Sequence, residues 1–207
     1  PFCGKTLGEF GADVIKIEAP ESGDPLRNWR LIKEGTSVWW QVQSRNKKSV
    51  ALDLRQAEAQ AIARRLIAEA DVLIENFRPG TLDRWGLTKE ALWQAQPSLV
   101  ILRTTGFGQS GPYRDRPGFA RLFEAMGGLT YISGEAQGAP MHSGYPLADN
   151  VGGLFGAVGV LAAVFSSFSM AGKAKAGVGL SPEIFMAVSF MLMTCMGQIF
   201  RMAAILP

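Results

Sequence analysis

An aspartate beside a long uncharged helix is the residue best placed for covalent chemistry in this 207-residue chain. In Leu147-Ala-Asp149-Asn150-Val-Gly-Gly153 it follows a loop rich in proline and glycine, and no charged residue occurs from Asn150 to Gly172. Asp149 immediately precedes the predicted helix and reads in two compatible ways. As an N-cap, its carboxylate accepts from a backbone N–H of the first turn. As a reacting group, it gains from the same helix N-terminus, which favours the ionised form. Gly152 and Gly153 would let a substrate approach the backbone closely, and an ionised carboxylate can attack an activated acyl group.

A second constellation is Asn76-Phe77-Arg78-Pro79-Gly80, placed at the carboxyl end of a predicted strand, where open α/β sheets bind ligands. Asn76, Arg78 and the nearby Arg84 offer donors for a phosphate or an adenine, and Phe77 offers a stacking face. The same stretch also reads as an ordinary βα turn with surface arginines. Gly106-Phe-Gly-Gln-Ser-Gly-Pro112 carries three glycines, but no helix follows at phosphate-loop spacing, so it reads as a surface loop. Glu124 lies on an apolar helical stretch, either as a site carboxylate with a raised pKa or on a solvated face. His142 is the only histidine and reads as a loop residue, which argues against a histidine-based zinc site and a Ser-His-Asp triad. Cys3 and Cys195 form no disulfide framework, so the expected compartment is reducing, and Cys3 reads as a small buried residue.

The elements that must position these residues alternate between two periods. Strand patterns occur at Asp13–Glu18, Ser49–Leu54, Asp71–Glu75 and Ser98–Arg103. Helical patterns occur at Phe2–Phe10, Gln56–Ala70, Thr88–Ala95 and Phe119–Gly128, with Gly11 closing the first and Thr88 capping the third. On the second, Ala59, Ile62, Ala63, Leu66, Ile67 and Ala70 form one stripe. Strands separated by helices predict βαβ units and a parallel sheet. Residues 19–48 and 104–117 read as loop-rich. The uncharged run reaches membrane-span length and contains a G-x-x-x-G at Gly152 and Gly156. The preceding βαβ pattern favours a buried helix with close packing at small residues, and no membrane association. Pro182–Ala204 reads as a second apolar helix, rich in methionine.

Hydrophobic residues make up 47% of the chain and charged residues 19%, which excludes a disordered chain. All but one of the 18 acidic and all but three of the 21 basic residues lie before position 151. That even mixture argues against a nucleic-acid surface despite a pI near 9.0. The chain begins with Pro1 and shows no signal peptide, and it is expected to be an internal piece of a longer cytoplasmic protein.

Several stretches in register resemble the class III CoA-transferase family, of the carnitine-CoA-transferase and formyl-CoA-transferase type. They are Pro1-Phe2-Cys3 with Leu7–Glu18, Asn46–Leu54, Asp71–Gly80 with Leu82-Asp-Arg84, Gly106–Pro112 and Leu147-Ala-Asp149, spanning nearly all of residues 1–165. The resemblance implies an α/β fold: a Rossmann-like parallel sheet with flanking helices, here without its first strand and most of the small domain. Residues 1–170 would form the large CoA-binding domain, and 171–207 a strand and helix leading to the second half. It implies transfer of CoA from an acyl-CoA to a small carboxylic acid through an aspartyl intermediate on Asp149. CoA is a co-substrate, with no permanently bound cofactor and no metal. CoA contacts fall on Leu52, Asp53, Leu54, Arg55, Asn76, Phe77, Arg78 and Arg84. The full-length partner is an interlocked second copy, and the 207-residue piece alone is expected to be inactive. The alternatives are an acyl-CoA racemase of the same superfamily and an inactive CoA-binding remnant. The racemase branch carries a histidine before the helix at 119–128, where this chain has Gly118-Phe-Ala-Arg121.

Overall fold

The computed structural model describes residues 1–171 and 183–187, the side chains of residues 167–171 and 183–187 excepted. Helix α1 (Phe2–Glu9) ends through Phe10 and Gly11, whose φ of 101° needs a glycine. Strand β1 (Val14–Glu18) follows. The stretch expected to be loop-rich then proves structured: a 3-10 turn at Pro25–Asn28, a small hairpin of β2 (Ile32–Lys33) and β3 (Thr36–Ser37), and helix α2 (Val38–Gln43). Short polar side chains start these turns, Asp24 accepting from Leu26 N and Ser37 from Trp40 N. Strand β4 (Lys47–Ala51) lies parallel to β1, with Ile17 opposite Val50. It begins before the predicted Ser49–Leu54, so Leu52–Arg55 form the turn leaving it. Helix α3 (Ala57–Ala68) buries Ala59, Ala63 and Ile67 of its predicted stripe and leaves Ile62 exposed.

Strand β5 (Val72–Glu75) leads into α4 (Thr81–Arg84) and α5 (Lys89–Ala95), and Thr88 Oγ1 caps α5 through Ala91 N at 3.3 Å. Strand β6 (Val100–Thr105) pairs in parallel with β5 and with β7 (Glu183–Ala187), giving the order β5-β6-β7. The expected helix at Pro182–Ala204 is therefore a strand over Glu183–Ala187, and its remainder lies outside the described residues. A short apolar run has no period that separates a fully buried strand from a buried helix. The β1-β4 pair shares no hydrogen-bonded neighbour with the three-stranded sheet among the described residues. One apolar core joins them, with Ile17 and Leu54 packed among Leu73, Leu82, Leu87, Leu92, Leu99 and Ile101.

After β6 come α6 (Ala120–Met126), α7 (Leu129–Ile132) and α8 (Leu147–Ala171). Helix α8 is the long uncharged run, but it starts at Leu147, so Asp149 stands inside its first turn and is not an N-cap. Its inner face packs on α1 and β6 in a second core of Cys3, Leu7, Ile74, Leu102, Ala157, Val160 and Ala163. The expectation of a buried helix holds for that face only. Leu154, Phe155, Val158, Leu161 and Phe165 are exposed along the other.

Candidate active site

The carboxyl ends of β5 and β6 and the first turn of α8 converge on one cleft of about 470 Å³, where Asn76, Thr104, Thr105 and Gly106 meet Asp149, Gly152 and Gly153. The position follows from parallel strands, whose carboxyl ends open toward the crevice between connections. Gly106 belongs to the cleft and not to a plain surface loop. A Cβ on it would lie 2.2 Å from Phe123 Cζ, so only glycine lets this strand end pass the ring.

Helix α8 is capped from a distance. Glu124, 1% exposed on α6, accepts from Ala148 N through Oε1 at 3.2 Å. That carboxylate takes the place a side chain just before the helix would have filled. Among the described residues no hydrogen bond or ion pair holds the Asp149 carboxylate, which is free to act in the cleft. Loss of hydration within the cleft pushes the Asp149 carboxyl above the ordinary aspartate range. The nearby Glu124 carboxylate adds to this rise. His142 Nδ1 stands 2.8 Å from Glu124 Oε2, at ion-pair distance but off the hydrogen-bond direction. The choice left open for Glu124 is thus decided: it is buried, it caps α8 and it faces the only histidine.

Part of the cleft lining comes from residues 24–43, including Trp29, Arg30, Trp39 and Gln43. Its base is locked by buried charges. Burial alone would push the Glu18 carboxyl up, but hydrogen bonds from Arg27, Ser49 and Asp24 N hold it at about 2. Lys16 pairs with Asp24 at 2.7 Å. Arg27 lies 4.2 Å from the Trp40 ring centroid, and Phe2 meets Trp39 edge-on at 5.9 Å. None of these cleft residues was singled out by the sequence. They sit on short elements without a repeating apolar period, and the adjacent tryptophans Trp39 and Trp40 are the one cue.

Of the residues named from the sequence, Asp149 and Asn76 line the cleft together. Phe77 is half-buried edge-on against Trp85 at 5.2 Å, Arg78 is exposed, and Arg84 Nη2 donates to Thr81 Oγ1 at 2.9 Å. Glu75 fixes the turn before them: Oε2 accepts from Phe77 N at 2.8 Å, and Oε1 lies 3.3 Å from Arg103 Nε. Burial raises the Glu75 carboxyl to about 7 despite Arg103. Leu52 and Leu54 pack into the core, while Asp53 and Arg55 form an exposed bidentate pair at 2.8 and 2.9 Å. Cys3 also lines the cleft but is buried, and burial pushes its thiol up to about 12, which leaves it unreactive.

Fold and cleft together define an α/β protein that presents an unpaired carboxylate in a cleft at the strand ends. The chain belongs to CoA-transferase family III, whose profile matches residues 1–198. It is 48% identical over 165 residues to the succinyl-CoA--D-citramalate CoA-transferase of Chloroflexus aurantiacus, covering 79% of this chain and 41% of that protein. It is 51% identical over 166 residues to the beta subunit of succinyl-CoA--L-malate CoA-transferase from the same organism, again covering 79% and 41%. Human succinyl-CoA:glutarate CoA-transferase is 34% identical over 181 residues, or 87% of this chain and 40% of that one. A crystal structure of a CaiB/BaiF family protein from Brucella suis superposes with a TM-score of 0.80 at 37% identity, over 93% of this chain and 50% of the other. The chain thus spans less than half the length of the curated relatives it matches.

Proposed function

We propose that the full-length protein carrying this sequence transfers CoA from an acyl-CoA to a free carboxylic acid, with Asp149 as covalent carrier. The observation behind this reading is the unpaired Asp149 carboxylate at the start of α8, facing the cleft beside Gly152 and Gly153. Asp149 attacks the thioester carbonyl, and the carbon–sulfur bond breaks to release CoA thiolate and leave an aspartyl–acyl anhydride. The thiolate attacks the aspartyl carbonyl, freeing the donor acid and leaving an aspartyl–CoA thioester. The acceptor carboxylate then attacks that carbonyl and again expels the thiolate. The thiolate takes the acceptor acyl group as a new CoA ester and restores the Asp149 carboxylate. No proton or electron is gained or lost over the cycle. The exposed Arg78 and Arg84 are proposed to meet CoA phosphates, and Leu52–Arg55, Asn76 and Phe77 to line the rest of its path.

The donors and acceptors are proposed to be small dicarboxylic acids, as the names of the related transferases suggest. The full-length protein is proposed to be a cytoplasmic, interlocked homodimer. Nothing favours racemisation, because the one histidine, His142, faces Glu124 and does not line the cleft.

Asp149→Asn should keep α8, since a first-turn asparagine removes no hydrogen bond the structure contains, and should lower transfer by roughly a thousandfold or more. Incubation with acyl-CoA and hydroxylamine, followed by peptide mass spectrometry, should mark Asp149 as its hydroxamate. Full activity of the Asn variant, or a hydroxamate elsewhere, overturns the assignment.

A further inference from the structure

The cleft that holds Asp149 is also lined by two groups that the CoA-transfer chemistry leaves unused. Gln43, at the end of α2, lines the cleft and is 1% exposed. Neither its Nε2 nor its Oε1 has a hydrogen-bond partner. A buried amide without partners is costly, and buried polar groups in folded proteins are nearly always satisfied, by protein, water or ligand. Arg30 is the one cationic side chain among the described residues lining the cleft. Its guanidinium stacks 4.9 Å from the Trp39 ring centroid and has no carboxylate partner among the described residues. Stacking engages the face of the guanidinium and leaves its N–H edge free. Arg30 also has a φ of 61°, a left-handed conformation unfavourable for a non-glycine residue and one that gathers at ligand clamps.

We propose that Arg30 and Gln43 form a subsite for the distal carboxylate of a dicarboxylic acyl group whose other end meets Asp149. This rests on Asp149 being the acyl-accepting group. A second carboxylate near Asp149 is repelled unless a cation stands by it, and Arg30 supplies that cation within the same cleft. Its planar fork takes both oxygens of a carboxylate, and Gln43 Nε2 donates to one of them. The Gln43 carbonyl is left for a hydroxyl on the acyl chain. A monocarboxylic acyl group of the same length leaves both residues unsatisfied, so the subsite selects against it.

The test compares two substrate pairs on the full-length protein: succinyl-CoA with glutarate, and butyryl-CoA with valerate, matched in chain length. The quantity read is the ratio of kcat/KM for the dicarboxylic over the monocarboxylic pair. Arg30→Leu and Gln43→Glu should each lower this ratio by about tenfold or more, through KM more than kcat. Arg30→Lys should fall between Arg30→Leu and wild type, because the charge stays and the fork is lost. A wild-type ratio near one, or ratios in all variants within twofold of wild type, overturns the subsite. So does an equal loss on both pairs, which marks a structural role.

Quenching of tryptophan fluorescence by glutarate against valerate gives a readout independent of turnover, since Trp29 and Trp39 line the cleft. Saturable quenching by glutarate that Arg30→Leu abolishes supports the subsite even if the protein transfers CoA to no acid. In that case the CoA-transfer reading fails alone. Equal quenching by both acids, or quenching that survives in Arg30→Leu, counts against the subsite whatever the activity.

Discussion

The carboxylate of Glu124 does two things at once: it closes the start of α8 through Ala148 N, and it raises the neighbouring Asp149 carboxyl. The proposed reaction needs Asp149 ionised, so activity should fall as pH drops through its raised pKa. Glu124→Gln keeps an oxygen to accept from Ala148 N and removes the like charge. The acid limb of the kcat/KM profile should therefore move to lower pH, and a limb that stays or moves up would show that Glu124 does not act on Asp149 electrostatically. Glu124→Ala removes the cap as well, at a stability cost of about 1 kcal/mol, read by urea denaturation.

At the scale of elements, the packing of α8 on α1 decides whether the cleft forms. The close approach is made at Gly153 and Gly156, one residue off the G-x-x-x-G of Gly152 and Gly156 at its first member. A Cβ on Gly153 would lie 2.3 Å from Phe2 Cβ and 3.0 Å from Cys3 N, so the helices must separate. Overpacking costs about 1–3 kcal/mol, against a helix-propensity gain of about 1 kcal/mol for alanine. A Cβ on Gly156 would meet Cys3 Sγ and Leu102 Cδ2 at 3.3 Å, contacts that yield by a few tenths of an ångström. Gly153→Ala should therefore lower the melting temperature and the transfer rate together, and Gly156→Ala should change both far less. Equal effects in thermal melts of the two variants would contradict this packing.

Across the whole molecule, two buried carboxylates set opposite limits on stability. Glu18, held at about 2, contributes stability above its unfolded pKa near 4.5 that is lost as pH falls toward 2. Glu75, raised to about 7 by burial, favours the folded state most when protonated. The folded protein then binds more protons than the unfolded chain between about 4.5 and 7, and stability falls as pH rises through that window. The contribution is about 3 kcal/mol at most. Glu75→Gln should flatten the decline in urea unfolding between pH 5 and 8, and a slope unchanged by the substitution would remove Glu75 as its cause. The exposed apolar face of α8 has a molecular consequence too. Leu147–Ser166 is long and apolar enough to cross a membrane by length and composition. With its inner face packed on β6 and α1, it is proposed to rest on protein instead. The full-length protein should then stay in the supernatant after high-speed centrifugation without detergent.

The sequence by itself determined the elements with a clear period or a local cap. Val14–Glu18, Ala57–Ala68 and Lys89–Ala95 are read from apolar spacing and from Thr88, because the forces that make them act within a few residues. It also determined that Asp149 stands at the start of a long apolar helix. The tertiary structure decided everything that depends on contacts between distant residues. Glu124 caps α8 from a position 24 residues upstream of Ala148, so no local signal could free Asp149 from the role of N-cap. Glu183–Ala187 became a strand because β6 offered it an edge, a fact no apolar run encodes. Trp29, Arg30, Trp39 and Gln43 reach the cleft only because Glu18 and Asp24 anchor the segment that carries them, and that anchoring pairs charges whose partners no spacing in the chain reveals.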